Sequence, residues 1–321
     1  MAGFAAIPER HDMPTSFNQL LKCRYGDMVF NRNDEVIGRS LREYGEYSEL
    51  EMEMLGRFLK PGDTVVDLGA NIGAHTLFFA RHVGPSGRVI AFEPQRVVFQ
   101  TLCANVALNS VTNVWALQAG AGEAQGQTRL PPMDYSRSDN FGAVSLDDAE
   151  EGEPVPVRTV DSLELTSCAL LKLDVEGWEA QALRGAKATL ERCKPLLYLE
   201  NHNAHNAEAL IAQVQAAGYR IHWHLPALFN AENFLGKKEN VFPDWVSVNI
   251  LCVPESRKDV LDAIAPLHPG PDAETRFRFG GPEISRMLIP FSREHMSRLV
   301  SLTAAFDKEI DTRRKQRHEA R

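Results

Sequence analysis

Residues 64–76 read TVVDLGANIGAHT, and the fold follows from this stretch. Thr64 to Leu68 is a short run of strand length, largely β-branched and apolar, and it stops at Gly69. Thr76 to Val83 is apolar with helical spacing. A strand, a glycine turn and a helix in that order open a βαβ unit. Gly69 and Gly73 let the backbone come close to a ligand, and the helix N-terminus behind them offers free N–H groups. The spacing is G-x-x-x-G. It is neither the G-x-G-x-x-G of dinucleotide-binding proteins nor a phosphate loop, since no G-K-[ST] follows.

The same rhythm continues outward. Strands are expected at 88–92, 113–117, 169–173, 195–199, 219–222 and 246–253, with helices over 97–108, 179–190 and 207–217 between them. Alternation of apolar strands with helices requires a sheet covered on both faces. The expected fold is therefore α/β: a doubly wound, mostly parallel sheet of seven strands over residues 61–254. Residues 1–60 form an N-terminal segment ending in a helix over Tyr47–Leu59. Residues 121–167, rich in Pro, Gly, Asp and Glu, read as an inserted loop or hairpin over the core. Residues 255–321 form a C-terminal extension. Its 293–321 portion is expected to be an amphipathic helix for packing or homo-oligomerisation, ending in a basic tail.

The chain has 321 residues, 43 acidic against 35 basic side chains, and 44% hydrophobic residues. A net charge of −8 speaks against a nucleic-acid binder. No apolar run is long enough to span a membrane. Five scattered cysteines, without a CxxC pair, fit neither a disulfide framework nor a cysteine zinc site and point to a reducing, cytoplasmic setting.

Asp67 and Glu93 both end strands, so both are expected at the carboxyl edge of the sheet, where open α/β folds bind ligands. A carboxylate at 93 can accept both hydrogen bonds of a ribose diol. A carboxylate at 67, where pyrophosphate would otherwise lie, favours a cofactor carrying an amine. S-adenosylmethionine has the amine and the diol and lacks phosphate.

At this point a family resemblance appears. VVDLGANIGAHTLFFARHVGPSGRVIAFEP (65–94) with LLKLDVEGWEAQALRGA (170–186) resembles the FkbM family of S-adenosylmethionine-dependent, class I (Rossmann-like) methyltransferases. YGEYSELE, NFGAV, VRTVDSL and VSVNILCVP extend the resemblance from about residue 25 to 254. It implies that Asp67, Gly69, Asn71 and Gly73 line the methionine end of the cofactor, with His75 beside its carboxylate. It implies that Glu93 holds the ribose and residues 118–122 the adenine.

A second group of polar residues ends the later strands. Alternation puts Lys172 and Asp174 on one side, and Glu200, Asn201 and His202 end the next strand. Asp174, placed at the cofactor edge, Glu200 and Asn201 are similar to the magnesium ligands of catechol-type and macrocin-type O-methyltransferases, which makes Mg2+ or a similar divalent ion an expected second cofactor. His202 and Glu176 are the candidate general bases. His205, His222 and His224 read mainly as loop or strand-end residues. Tyr44–Glu51 and Tyr135–Gly142 are the candidate lid and acceptor pocket.

The expected activity is methyl transfer to a hydroxyl of a sugar, glycan or secondary metabolite. The alternatives are N-methylation of an imidazole, amine or peptide group, or a non-catalytic module keeping the cofactor fold. Nucleic acid and membrane are not expected partners.

Overall fold

The computed structural model describes residues 16–146, 151–201, 204–243, 245–268 and 284–292, with backbone only for 204–206. The chain opens with an antiparallel hairpin, β1 (Asn18–Cys23) and β2 (Gly26–Asn31), followed by helices α1 (Ile37–Tyr44) and α2 (Glu49–Gly56). The core then runs β3 (Thr64–Leu68), α3 (Ala74–Val83), β4 (Arg88–Phe92), α4 (Arg96–Leu108) and β5 (Val114–Leu117). Strands β6 (Gly120–Ala121), β7 (Gly126–Leu130) and β8 (Glu153–Arg158) follow. The core resumes with β9 (Leu170–Leu173), α5 (Glu179–Arg184), α6 (Lys187–Cys193), β10 (Leu196–Glu200), α7 (Ala204–Ala216), β11 (Tyr219–His224) and β12 (Asn249–Pro254). Helix α8 (Lys258–Ile264) and the two-residue strand β13 (Ile289–Pro290) complete the described elements.

The main sheet has the order β13-β11-β12-β10-β9-β3-β4-β5. Strands β5, β4, β3, β9 and β10 are mutually parallel, and β12 runs antiparallel between β10 and β11. The sheet thus has eight strands rather than the expected seven. Ile289–Pro290 adds to the open edge of β11, where the Phe291 amide also bonds the Ile221 carbonyl at 3.0 Å.

Alternation along each strand feeds two apolar layers. Val66, Leu171, Leu197 and Ile250 face α5 and α7, where they meet Leu183, Leu210 and Val214. Val65, Leu170, Tyr198 and Leu251 face the other way, against Met52 and Leu55 of α2, Phe79 of α3 and Val260 of α8. Both faces are covered, so these strands read as continuous apolar runs.

Three expectations need correction. The N-terminal segment is not wholly helical, because NQLLKC and GDMVFN pair as a hairpin burying Cys23, Met28 and Phe30. The helix expected over Tyr47–Leu59 is shorter, since Ser48 takes a left-handed φ of 48° and lets it start only at Glu49. The helix expected over 179–190 breaks at Gly185, where a Cβ would stand 2.0 Å from the Gly122 carbonyl oxygen. The second half, α6, is capped instead by Asp161, which accepts from the amides of Ala188 and Thr189 at 2.9 and 2.8 Å. The 121–167 interval contributes a three-stranded sheet, β6-β8-β7, as an inserted cover. The helix expected over 293–321 lies outside the described residues. Among the described residues, no helix is long and apolar enough to cross a membrane.

Two side chains of α4 attach the hairpin to the core. Asn105, fully buried, accepts from the Val29 amide at 2.7 Å and donates to the carbonyls of Val29 (3.0 Å) and Ile72 (2.8 Å). One turn later Asn109 accepts from the Asp27 amide at 3.0 Å and donates to its carbonyl at 2.7 Å. Removing the Asn105 carboxamide orphans buried backbone groups at a cost of about 2–3 kcal/mol. Asn105→Ala should therefore lower the unfolding free energy by that amount, read as a lower urea midpoint with an unchanged slope; an unshifted midpoint would show that the hairpin is held by packing alone.

Candidate active site

A cleft of about 1140 Å³ opens at the carboxyl edge of the parallel strands, between the main sheet, α1 and α2, the insert and the segment before β12. Its inner wall is the loop after β3. Gly69 has φ +77°, and a Cβ there would lie 1.7 Å from the Asp174 carbonyl oxygen, so the loop packs directly on the end of β9. Asn71 is also left-handed (φ 49°) and lines the cleft. Its amide donates to Glu93 Oε2 at 2.9 Å, while the Gln95 amide donates to Oε1 at 2.8 Å. Glu93 is 3% exposed. Burial pushes its pKa up to about 8 against those two amides, with Asp67 and Asp174 adding to the rise.

Asp67 does not line the cleft. Strand parity turns it to the face covered by α3, where it is fully buried, accepts from Thr76 Oγ1 at 2.7 Å and lies 3.7 Å from Lys172 Nζ. Burial raises its pKa, opposed by Lys172 and Thr76. Gly73 is likewise absent from the cleft wall; its φ of +88° and the nearby Leu102 side chain, 2.6 Å from an added Cβ, make it a packing glycine. His75 does line the cleft, stacked on Tyr47 with ring centroids 5.3 Å apart. Burial lowers its pKa to about 3, so it is neutral, and its Nε2 has no hydrogen-bond partner among the described residues. Ala119, Gly120 and Ala121 form the wall where adenine was expected.

Lys172 lies between two acids, 3.1 Å from Asp174 Oδ2 and 3.7 Å from Asp67 Oδ1. It is 3% exposed, and burial alone would discharge it, but the charges of Asp174, Asp67 and Glu51 raise its pKa above the usual lysine value. Asp174 responds in kind. Burial works against its charge, yet Lys172 and a contact with Glu200 hold its pKa below the ordinary value. Glu176, left-handed with φ 52°, joins Asp174 and Glu200, one oxygen of each lying within 4.8 Å of the others.

Asn201 is not part of this group. It follows Glu200 by one residue and so points to the opposite face; it is 7% exposed and off the cleft wall. His202 lies outside the described residues, as does the side chain of His205. His222 stacks on His268 at 5.2 Å, away from the cleft, and burial brings its pKa down to about 4.

The sequence assigns Glu51 only to a lid segment; in the structure it stands on the first turn of α2, which starts at Glu49. It is 5% exposed, lines the cleft and faces Lys172, Asp174, Glu200 and the hydroxyls of Ser247 and Tyr198. Burial lifts its pKa to about 7, with Lys172 opposing and Asp174 reinforcing. Behind it Tyr198 Oη lies 2.7 Å from His224 Nδ1 and accepts from Asn249 Nδ2 at 2.8 Å, while His224 Nε2 lies 3.0 Å from the Ser285 carbonyl oxygen. Nothing in the sequence separates Tyr198 and His224 from core residues; only the sheet brings them together.

The Tyr135–Gly142 segment covers the outer cleft. Tyr135 donates to Gln95 Oε1 at 3.3 Å, Gln95 donates to the Phe141 carbonyl at 2.7 Å, and Asp139 bridges to Asp34.

Residues 67–221 match the family model of the methyltransferase FkbM domain. That stretch, just under half of the chain, is similar to an FkbM methyltransferase domain. No curated protein sequence matches the chain. Among solved structures it is similar to an FkbM methyltransferase from Methylobacillus flagellatus, with 20% identity, a TM-score of 0.39 and coverage of 60% of this chain. It spans 43% of that protein's length. It is also similar to Aeropyrum pernix fibrillarin with bound S-adenosyl-L-methionine (11% identity, TM-score 0.38, 75% and 84% of the two chains). A Thermotoga maritima S-adenosylmethionine-dependent O-methyltransferase gives 13% identity, TM-score 0.37 and 74% and 77% coverage. Likenesses at this level carry no argument about activity.

The family resemblance implies Glu93 as the acid facing the cofactor diol. Glu93→Ala should weaken S-adenosylhomocysteine binding by about 1–3 kcal/mol, the cost of leaving buried hydrogen-bonding groups without their partner. Unchanged affinity in calorimetry would remove Glu93 from the cofactor site.

Proposed function

We propose that the protein transfers the methyl group of S-adenosylmethionine to a hydroxyl oxygen of a small-molecule or glycan acceptor. The FkbM domain match supports the cofactor, and the cleft is built to suit it. A side chain at Gly69 would collide with the end of β9, so bare backbone lies beside Glu93, and the carboxylate of Glu200 at the inner end suits an ammonium group. When bound, the cofactor supplies a methyl group already activated on a sulfonium, so transfer needs alignment, exclusion of water and removal of one proton.

The observation that supports oxygen as acceptor is Glu51. A hydroxyl must lose its proton as the oxygen bonds to carbon, and a buried carboxyl with a pKa near 7 is matched to that task. The residues behind Glu51 favour the state it reaches. The Ser285 carbonyl can only accept, so His224 Nε2 carries a proton; with a pKa pulled down to about 4 by burial, His224 stays neutral and its Nδ1 accepts from Tyr198. With its own hydrogen committed, the Tyr198 oxygen can accept a hydrogen bond from protonated Glu51 but cannot donate one to the carboxylate. Glu51 therefore gains a partner when it takes up the hydroxyl proton. Tyr47 and His75 close the adjoining wall with a neutral stacked pair.

The metal centre expected from Asp174, Glu200 and Asn201 does not fit these residues. Asn201 faces away, and the charge on Asp174 is already met by the Lys172 ammonium at 3.1 Å. Asp174 and Glu200 are in contact with each other as well. Turnover should therefore survive EDTA; loss of turnover restored by Mg2+ would reverse this.

The rate should fall as pH drops through about 7, because a general base works only when deprotonated. Glu51→Gln should remove that acid limb and lower kcat by about 10²–10⁴-fold, with S-adenosylhomocysteine binding retained. Wild-type kcat in this variant, or an unaltered pH profile, would exclude Glu51 as the base.

A further inference from the structure

We infer that the acceptor is an anion: a hydroxylated molecule whose acidic group is held by Arg39 and its neighbours at the cleft mouth. This deepens the methyl-transfer reading and rests on it.

The mouth contains several charged side chains, and nearly all are already matched. Asp134 pairs with Arg137 at 3.1 Å, Glu35 accepts from the Ser138 hydroxyl at 2.8 Å, and Asp139 accepts from the Asn140 amide at 2.8 Å. Arg39 differs. Its guanidinium lies over the Phe242 ring, 5.0 Å from the centroid, and it has no ion pair or side-chain hydrogen bond among the described residues. Stacking fixes the plane of the guanidinium while leaving its N–H edge free, the arrangement that suits bidentate capture of a carboxylate or phosphate.

Arg39 stands where the cleft meets a side groove of about 290 Å³, and it lines both. The groove adds Arg32 and Arg42. Helix α1 sets Arg39 and Arg42 three residues apart and so on one face; Arg42 is paired with Glu43 at 3.4 Å, which leaves Arg39 as the unpaired cation of the two. Arg32 arrives from the turn after β2, with its carbonyl accepting from Arg42 at 3.0 Å. The groove's acids hydrogen-bond neutral donors and do not pair with Arg39. Asp34 is 5% exposed, and its carboxylate is committed to the first amides of α1, Val36 at 2.8 Å among them; Glu35 holds Ser138. The cleft therefore has two chemical ends: an acid-lined inner end with Glu51, and a mouth where the Arg39 guanidinium is unpaired among the described residues. An acceptor carrying a hydroxyl at one end and an acidic group at the other satisfies both, and its ring or chain would pass Trp245 on the cleft wall.

The test uses the full-length protein, methyl-tritiated S-adenosylmethionine and a small-molecule cell extract split by anion exchange into retained and flow-through pools. Label should enter the retained pool, with the rate falling as salt is raised. Arg39→Gln should raise KM for that pool at least tenfold, as expected for a lost charge-assisted contact, with kcat and S-adenosylhomocysteine affinity near wild type. Phosphatase treatment of the labelled product separates the two sources of charge: lost retention identifies a phosphate, and unchanged retention a carboxylate. Label confined to the flow-through pool, or an Arg39→Gln variant with wild-type KM, overturns the proposal. Label in neither pool from a protein that binds S-adenosylhomocysteine counts against methyl transfer itself.

Discussion

A lysine in the middle of a parallel sheet must be neutralised, and the site is arranged around that requirement. Lys172 is in register with Asp67 on one neighbouring strand and Tyr198 on the other. Burying one ion without its partner costs several kcal/mol, whereas burying it between two carboxylates recovers much of that cost. Asp67 is held on the far side, behind the glycine loop, and Asp174 on the near side, at the cleft. Through Asp67 the lysine reaches Thr76 and the start of α3; through Asp174 it reaches Glu200 and Glu51. The catalytic edge and the helix behind the glycine loop thus share one charge balance.

Three acids on this edge show how strongly surroundings set proton affinity. Glu93, Glu51 and Asp174 all line the same cleft. Glu93 is buried with only amide donors and is pushed up to about 8. Glu51 feels Lys172 as well as other acids and settles near 7. Asp174 touches the lysine and is held below its ordinary value. One edge therefore offers a neutral acid, a base poised near physiological pH and a fixed anion, without any residue type that the sequence would mark as unusual.

The parallel core was legible because its strands are apolar runs that end at glycine or carboxylate; Thr64–Leu68 and Arg88–Phe92 fall where the sequence put them. The placing of Glu93, Asn71 and Glu200 on the cleft was legible for the same reason. Asp67 and Asn201 were misplaced because a strand-end residue is known to be near the edge before it is known which face it takes; strand parity against Lys172 and Tyr198 decides that. Glu51, Tyr198 and His224 come from one helix and two strands far apart in sequence, so no spacing connects them. The hairpin escaped notice since its turn at Arg24-Tyr25 lacks the Asn-Gly or Asp-Gly that marks a tight hairpin.

The asparagine pair on α4 has a further effect on the hairpin. An edge strand presents a row of free amides and carbonyls that can recruit any extended chain, and proteins usually blunt such edges with charge or a bulge. Here the backbone of Asp27 and Val29 is met by two carboxamides, each imitating the peptide group of a strand that is not there. Strand β2 is thereby closed to newcomers much as a serine closes the end of a helix. On that side the hairpin can serve as a wall of the molecule without becoming a seed for edge-to-edge aggregation.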